Sequence, residues 1–283
     1  MSEKGIGNQA EFWNGEHGEA WARYTEIVDF MFAEFTRAIL DAANIGTGDR
    51  VLDLGCGGGG TTMEIARRVT AVGSVTAIDV SAPMIEVTRE RTAAANLSNV
   101  TVILGDAAAH PFDEGAFDVM VSRLGCMFFA DPAAAFTRFR PAMAQDGAIS
   151  LGVWRQPREN LWAMEPVSAA REFLDMPPRP GPEDPGPFAF ADPDRVRRVL
   201  GEAGLRDIDV APFDFRIPMG RTFDEALSFA MEMGPLSQPL AAVKGEKREK
   251  AVAAITDVLK RNTDPDGIVR LAAATWIVTA RAP

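Results

Sequence analysis

Residues 51–60 read Val-Leu-Asp-Leu-Gly-Cys-Gly-Gly-Gly-Gly, and Thr61–Arg68 follows with helical character. An apolar strand, a glycine turn and a helix in that order let the backbone approach a ligand where any side chain would block it. The helix start adds unpaired N–H groups for an acceptor. Two ligand classes use such a turn. Gly55, Gly57 and Gly60 satisfy the G-x-G-x-x-G spacing of a dinucleotide site. Asp53 points the other way, because a carboxylate just before the turn repels a pyrophosphate and welcomes a ligand with a cationic amino-acid part. Asp79 lies 24 residues after Gly55, at the end of a second apolar run. In either class an acid there can accept hydrogen bonds from both ribose hydroxyls.

These residues need elements to hold them. Ile27, Phe30, Met31, Phe35, Ala38 and Ile39 recur at helical intervals, which predicts one amphipathic helix over 18–43, ended by Asn44 and Gly46. Strands are expected at 50–55, 74–79, 100–104, 117–122 and 147–154. Helices are expected over 60–71, from Ser81 and Pro83 to about residue 95, and from Asp131-Pro132. Regular alternation of strand and helix predicts a doubly wound α/β sheet, which binds ligands at the carboxyl ends of its strands. Residues 177–187 hold six prolines and two glycines, which excludes a helix or inner strand; they suit a stiff surface loop or the margin of a lid. A helix from Asp192-Pro193 to about 203, a strand at 208–215, helical residues 222–262 and a last strand at 271–280 complete the chain.

The 283 residues suffice for one large α/β domain with an appendage, or for two small domains. A net charge of −11 argues against a nucleic-acid partner, and the lysines of 244–250 are interleaved with acids. No apolar run approaches the ~20 residues of a membrane span. Met1–Gly5 lacks the apolar core of a signal peptide, so a cytoplasmic protein is expected. Cys56 and Cys126 suggest no disulfide framework, and with His17 and His110 far apart no metal is expected. A homodimer stays open.

Asp53-Leu54-Gly55-Cys56-Gly57-Gly58-Gly59, the acid Asp79, Gly105-Asp106-Ala107 and Phe117-Asp118-Val119 resemble the ordered motifs of class I S-adenosylmethionine (SAM) dependent methyltransferases. The resemblance spans roughly residues 45–153. It is greatest to the small-molecule branch that includes the ubiquinone and menaquinone biosynthesis methyltransferases. It implies a Rossmann-like, doubly wound, seven-stranded and mostly parallel sheet, with the last strand antiparallel at the sheet edge. It also implies SAM as cofactor, S-adenosylhomocysteine as product and a small-molecule methyl acceptor. The expected layout is an N-terminal helical lid (1–44), a SAM-binding core (45–155), an insert (156–191), a core continuation (192–220), a helical insert (221–265) and a final core strand (266–283).

By the same resemblance, the backbone at Gly55 and Gly57 lies beside the methionine part and Asp53 supports its ammonium. Asp79 takes the ribose hydroxyls, Val80 and Met84 flank the adenine, and Asp106 with the Ala107 N–H meets the adenine amino group. Ser122 and Arg123 lie under the methionine part, with Arg123 able to bind the cofactor carboxylate or an acidic substrate. Residues 12–24 concentrate two tryptophans and the chain's one tyrosine. This segment is expected to close over the cofactor, with Trp21 or Tyr24 near the sulfonium, since aromatic faces attract such cations. The alternative is that Trp13 and Trp21 only anchor the segment on the sheet. His17 and Tyr24 are the candidate catalytic groups, His17 as a general base. Trp13, Arg155, Asn160 and Trp162 are candidate substrate contacts, and Trp162 suggests an apolar or aromatic ligand. Two other readings compete: an NAD(P)-dependent oxidoreductase and a non-catalytic SAM-binding protein.

Overall fold

A computed structural model describes residues 9–178 and 180–283. The first eight residues of the expected lid, and Arg179 in the proline-rich stretch, lie outside them. Seven strands form one sheet: β1 (Arg50–Leu54), β2 (Ser74–Asp79), β3 (Val100–Leu104), β4 (Phe117–Arg123), β5 (Met143–Trp154), β6 (Arg206–Pro218) and β7 (Arg270–Arg281), in the order β3-β2-β1-β4-β5-β7-β6. The first five are mutually parallel, and β7 is antiparallel to both neighbours. This is the seven-stranded, mostly parallel doubly wound sheet expected. The order reverses between β1 and β4, which puts the topological switch point beyond Leu54, at a place such sheets use for ligands.

The central strands are buried on both faces. Val51, Leu52, Leu54, Val119, Met120 and Val121 are all nearly inaccessible, which is why they read as continuous apolar runs rather than alternating ones. Helices α4 (Gly60–Val69), α5 (Ala82–Ala94), α6 (Pro132–Phe139), α7 (Leu161–Ala170) and α8 (Pro193–Glu202) follow strands in turn. Asp131 and Asp192 cap α6 and α8, accepting from the N–H groups of Ala134 and Asp194, each at 2.9 Å.

Four expectations need correction. The single helix over 18–43 is two, α2 (Glu16–Arg23) and α3 (Thr25–Ala42), preceded by the short α1 (Gln9–Asn14). The break at Tyr24 has a local cause: the Thr25 hydroxyl donates to the carbonyls of Ala22 and Trp21 at 2.9 and 3.3 Å, taking acceptors at the end of α2. Asn44, with φ 52°, ends α3 in the left-handed conformation. Next, β7 is antiparallel but not at the edge; it pairs with β5 on one side and β6 on the other, and β6 is the outer strand. Residues 222–262 are broken into α9 (Phe223–Glu232), α10 (Ser237–Ala242) and α11 (Gly245–Arg261). Finally, Ser81 precedes α5 without capping it, because its hydroxyl donates to the Trp13 carbonyl at 2.7 Å. The proline-rich stretch has no helix or strand among its described residues, and its Gly186 N–H donates to the Met127 carbonyl at 3.1 Å, just beyond β4.

Candidate active site

The turn after β1 carries the site. Gly55 and Gly57 have φ of +67° and +54°, a region that L side chains avoid. A methyl at Gly55 would also lie 2.8 Å from the Gly125 Cα, where the ends of β1 and β4 meet. Met84 is buried, and its Cε would be 3.1 Å from a methyl at Gly57, so the α5 side chain packs directly under the turn.

Asp79 holds this turn in shape. Its Oδ2 accepts the Gly57 N–H and its Oδ1 the Ser81 N–H, both at 2.9 Å. Each oxygen keeps a further lone pair for a ligand hydroxyl. Burial raises its pKa against the pull of those backbone N–H groups. Asp53 is 1% exposed. Its Oδ2 accepts from the Thr62 hydroxyl of α4 at 2.6 Å, whereas its Oδ1 is buried without a partner. Burial pushes its pKa up to about 6, opposed by the Thr62 hydrogen bond and the Arg123 charge and reinforced by Asp79. An unpaired carboxylate oxygen is costly unless a donor arrives, and the ammonium of an amino-acid ligand is a fitting donor.

The start of α4 tells the two ligand classes apart. A methyl on Gly60 would lie 1.8 Å from Asp29 Oδ1 of α3. A carboxylate therefore already rests at this helix start, and with Asp53 behind the turn a pyrophosphate would meet two negative charges. That geometry disfavours the dinucleotide reading. Asp29 and its partner Arg91 were not singled out from the sequence, because nothing in their local pattern marks them.

The other predicted positions divide. Val80 is half-buried, and its carbonyl accepts from Asn14 Nδ2 at 2.9 Å, while Asn14 Oδ1 takes the Ala82 N–H at 2.8 Å. Asn14 thus docks the N-terminal segment on the edge of the Asp79 loop. Asp106 is exposed; one oxygen accepts the Ala108 N–H at 2.9 Å, leaving the other for a ligand, and Ala107 is buried beneath the same turn. Ser122 is different. Its hydroxyl donates to the Leu54 carbonyl at 2.8 Å and accepts the Cys126 N–H at 3.1 Å, so it ties β4 to β1 rather than facing a ligand. Arg123 turns to α3, donating to Thr36 Oγ1 at 2.8 Å, with its guanidinium 3.6 Å from Asp29 and 5.6 Å from the Phe32 ring centre.

In the N-terminal segment Trp13 packs edge-on against Trp21 and Phe128, with ring centres 6.0 and 5.3 Å away. The indole N–H of Trp21 is buried without a partner. His17 lies 4.3 Å from the Phe12 ring, and burial lowers its pKa, so it is neutral at pH 7. Tyr24 has its pKa pushed up to about 12 by burial, with the Glu232 carboxylate of α9 nearby. It is a phenol, not a phenolate, at neutral pH, which removes it as a ready base.

Of the substrate candidates, Asn160 and Arg155 are committed elsewhere. Asn160 is fully buried; its Oδ1 takes the Ala274 N–H at 3.0 Å and its Nδ2 reaches the Ala274 carbonyl at 3.1 Å, pinning the start of α7 to β7. Arg155 pairs with Glu159 and, at 2.8 Å, with Asp214, and lies 4.8 Å from the Trp276 ring centre. Trp162 does line a cavity, with Met219, Phe229, Met233, Pro235 and Leu236, and its indole N–H is buried and unpartnered. The cavity is closed down to about 10 Å³. Among the described residues no group of three His, Cys, Asp or Glu side chains could hold a metal, and no helix is long and apolar enough to cross a membrane.

Residues 51–147 match the family described as a methyltransferase domain. Nocamycin O-methyltransferase of Saccharothrix syringae is 34% identical over 48% of this chain and 49% of its own length. Over residues 51–147 the chain is similar to a methyltransferase domain. Demethylmenaquinone methyltransferase of Staphylococcus epidermidis is 24% identical over 69% of the chain and 84% of that enzyme. The YcgJ protein of Bacillus subtilis shares the fold, with a TM-score of 0.58 at 17% identity, over 88% of this chain and 98% of that one. The chain spans about half the length of the first of these relatives. The methyltransferase domain match ends within β5, so α7 and everything after it, including the Trp162 cavity, lie beyond it.

Proposed function

We propose that this protein is a SAM-dependent methyltransferase acting on an apolar small molecule. The observation that carries the reading is Asp53: a buried carboxylate oxygen without a donor, set behind a glycine turn. In this reading Asp53 takes the ammonium and Asp79 the ribose hydroxyls. Val80 and Met84 flank the adenine, Asp106 and the Ala107 N–H meet its amino group, and the Gly55 and Gly57 backbone lies beside the methionine part. SAM supplies a methyl group on a sulfonium, which an acceptor atom displaces in line. The chain's part is positioning and exclusion of water. Trp13, Trp21 and Phe128 supply apolar cover. Neutral His17 remains available as a base for an acceptor proton, while Tyr24 stays protonated.

Support for an apolar acceptor comes from the Trp162 cavity and its link to the glycine turn. Thr25 fills the space where a Gly58 side chain would be, and the neighbouring Tyr24 ring lies 6.0 Å from Phe229, which lines the cavity. A space of about 10 Å³ holds roughly one water, so α7 and α9 must part to admit an acceptor. The unpartnered Trp162 N–H then favours an acceptor with a carbonyl, hydroxyl or ether oxygen. The natural-product and quinone methyltransferases among the relatives agree with this class.

Calorimetric titration with S-adenosylhomocysteine, with NADH in parallel, tests the cofactor. Micromolar binding of the first and none of the second is expected; binding of NADH alone would overturn the reading. Transfer of labelled methyl from SAM to a panel of phenolic and polyketide-like acceptors then tests the acceptor class. Trp162→Ala should raise the acceptor KM with S-adenosylhomocysteine affinity unchanged. Transfer only to charged, polar acceptors would reject the apolar assignment.

A further inference from the structure

Asp29 is not itself among the positions expected to meet the cofactor, yet α5, β4 and the start of α4 converge on it. It lies on α3 with its side chain 23% exposed. Its Oδ2 pairs with Arg91 of α5 at 2.5 Å, and its Oδ1 lies 3.6 Å from Arg123 of β4. The other terminal nitrogen of Arg91 donates to the Gly58 carbonyl, inside the glycine turn. The carboxylate also abuts Gly60 at the start of α4, where the helix dipole favours negative charge. The Asp29 side chain thus joins α3 to α5, β4 and the start of α4, and through Arg91 to the turn.

We propose that Asp29 is a positioning residue for the cofactor site, clamping Arg91 onto the Gly58 carbonyl and holding Arg123 at a set distance from Asp53. The clamp has two separable effects. Through Arg91 it fixes the turn that receives the ligand's amino-acid end. Through Arg123 it sets the positive charge felt by Asp53. Asp53 is faced by Arg123 from β4, Asp79 from β2, and Cys56 and Thr62 from the turn and α4; Arg123 is the cation of that group. Asp29 partly neutralises Arg123 and adds its own negative charge nearby. Removing it should make the surroundings of Asp53 more positive and extend its ionised range to lower pH. This inference rests on the cofactor reading above, and the test separates the two.

Binding of S-adenosylhomocysteine is measured by calorimetry from pH 5 to 8 for wild type, Asp29→Asn, Arg91→Met and Arg123→Gln, with thermal melts on each. Asp29→Asn should weaken binding at pH 7.5 by about tenfold, as expected for loss of a charge-assisted hydrogen bond. It should also move the acidic midpoint of binding down by about half a pH unit, the direction set by removal of a nearby negative charge. Arg123→Gln should move that midpoint up. Arg91→Met should weaken binding and leave the midpoint in place. A merely structural role for Asp29 would lower melting temperature and affinity without moving the midpoint, and that result overturns the proposal. If Asp29→Asn does not fold, the difference between Arg123→Gln and Arg91→Met decides: the same midpoint in both overturns it. Absence of binding by the wild type overturns the cofactor reading and this inference with it.

Discussion

Asp53 carries opposed demands. Burial disfavours its charge, while the ammonium proposed to meet it requires it. With a pKa of about 6 in the free protein, the carboxylate is ionised at pH 7 and protonated at pH 5. A bound ammonium lowers that value, so affinity is full well above pH 6 and declines as pH falls through it. S-adenosylhomocysteine should therefore raise the melting temperature more at pH 7.5 than at pH 5.5; equal stabilisation at both would show that Asp53 does not meet the ammonium. Asp79 bears on the same ligand by another route, since it shapes the turn through Gly57 and Ser81. Asp79→Ala should reduce affinity by roughly ten- to a hundredfold, in line with ~1.5–3 kcal/mol for hydrogen bonds to a charged group. Calorimetry on the variant checks this. Both acids are legible in the sequence, because an acid before a glycine turn and one at the end of the next strand have few other uses. The commitments of Ser122 and Arg123 are not legible. Their partners, Leu54 and Asp29, are 68 and 94 residues away in sequence, and only folding chooses them.

At the scale of elements, the N-terminal segment behaves as a strap on the α5 start. Asn14 bridges Val80 and Ala82, Ser81 holds the Trp13 carbonyl, and Gly18 lets α2 pass: a methyl there would lie 1.9 Å from that same carbonyl. Gly18→Ala should free the strap, raising amide exchange across residues 9–24 and weakening ligand binding severalfold. Unchanged exchange would remove the strap. The aromatic density of 12–24 pointed to this segment, but not to Asn14, whose role depends on backbone groups that no side-chain pattern displays. Asn160 gives the converse case. Expected at the substrate wall, it ties α7 to β7. Asn160→Ala leaves the buried Ala274 N–H without its partner, while the Ala274 carbonyl keeps the Arg155 N–H, costing about 1–3 kcal/mol for the group left unsatisfied. Its effect should appear in the melting temperature rather than in acceptor KM.

For the whole molecule, α3 lies directly on the sheet. A methyl at Gly152 of β5 would come within 2.3 Å of Ile39 and 2.5 Å of Phe35, and Ser150 donates to the Ile39 carbonyl at 2.8 Å. Gly152→Ala should destabilise the protein by about 1–3 kcal/mol through overpacking, measured by denaturant unfolding; a neutral result would mean α3 shifts freely. The alternation of apolar strands with amphipathic helices determined the α/β class, because hydrophobic periodicity and turn residues are local properties. The glycine turn and its acids likewise pointed toward a ligand with a cationic amino-acid end rather than a pyrophosphate, since repulsion of phosphate by Asp53 is readable over three residues. Only tertiary structure decided that β7 inserts between β5 and β6, that Asn160 is a tie, and that Asp29 joins Arg91 and Arg123 at the start of α4. Strand order and long-range ion pairs arise from packing between segments far apart in the chain, and a linear pattern of apolar and polar residues holds no record of which of them will meet.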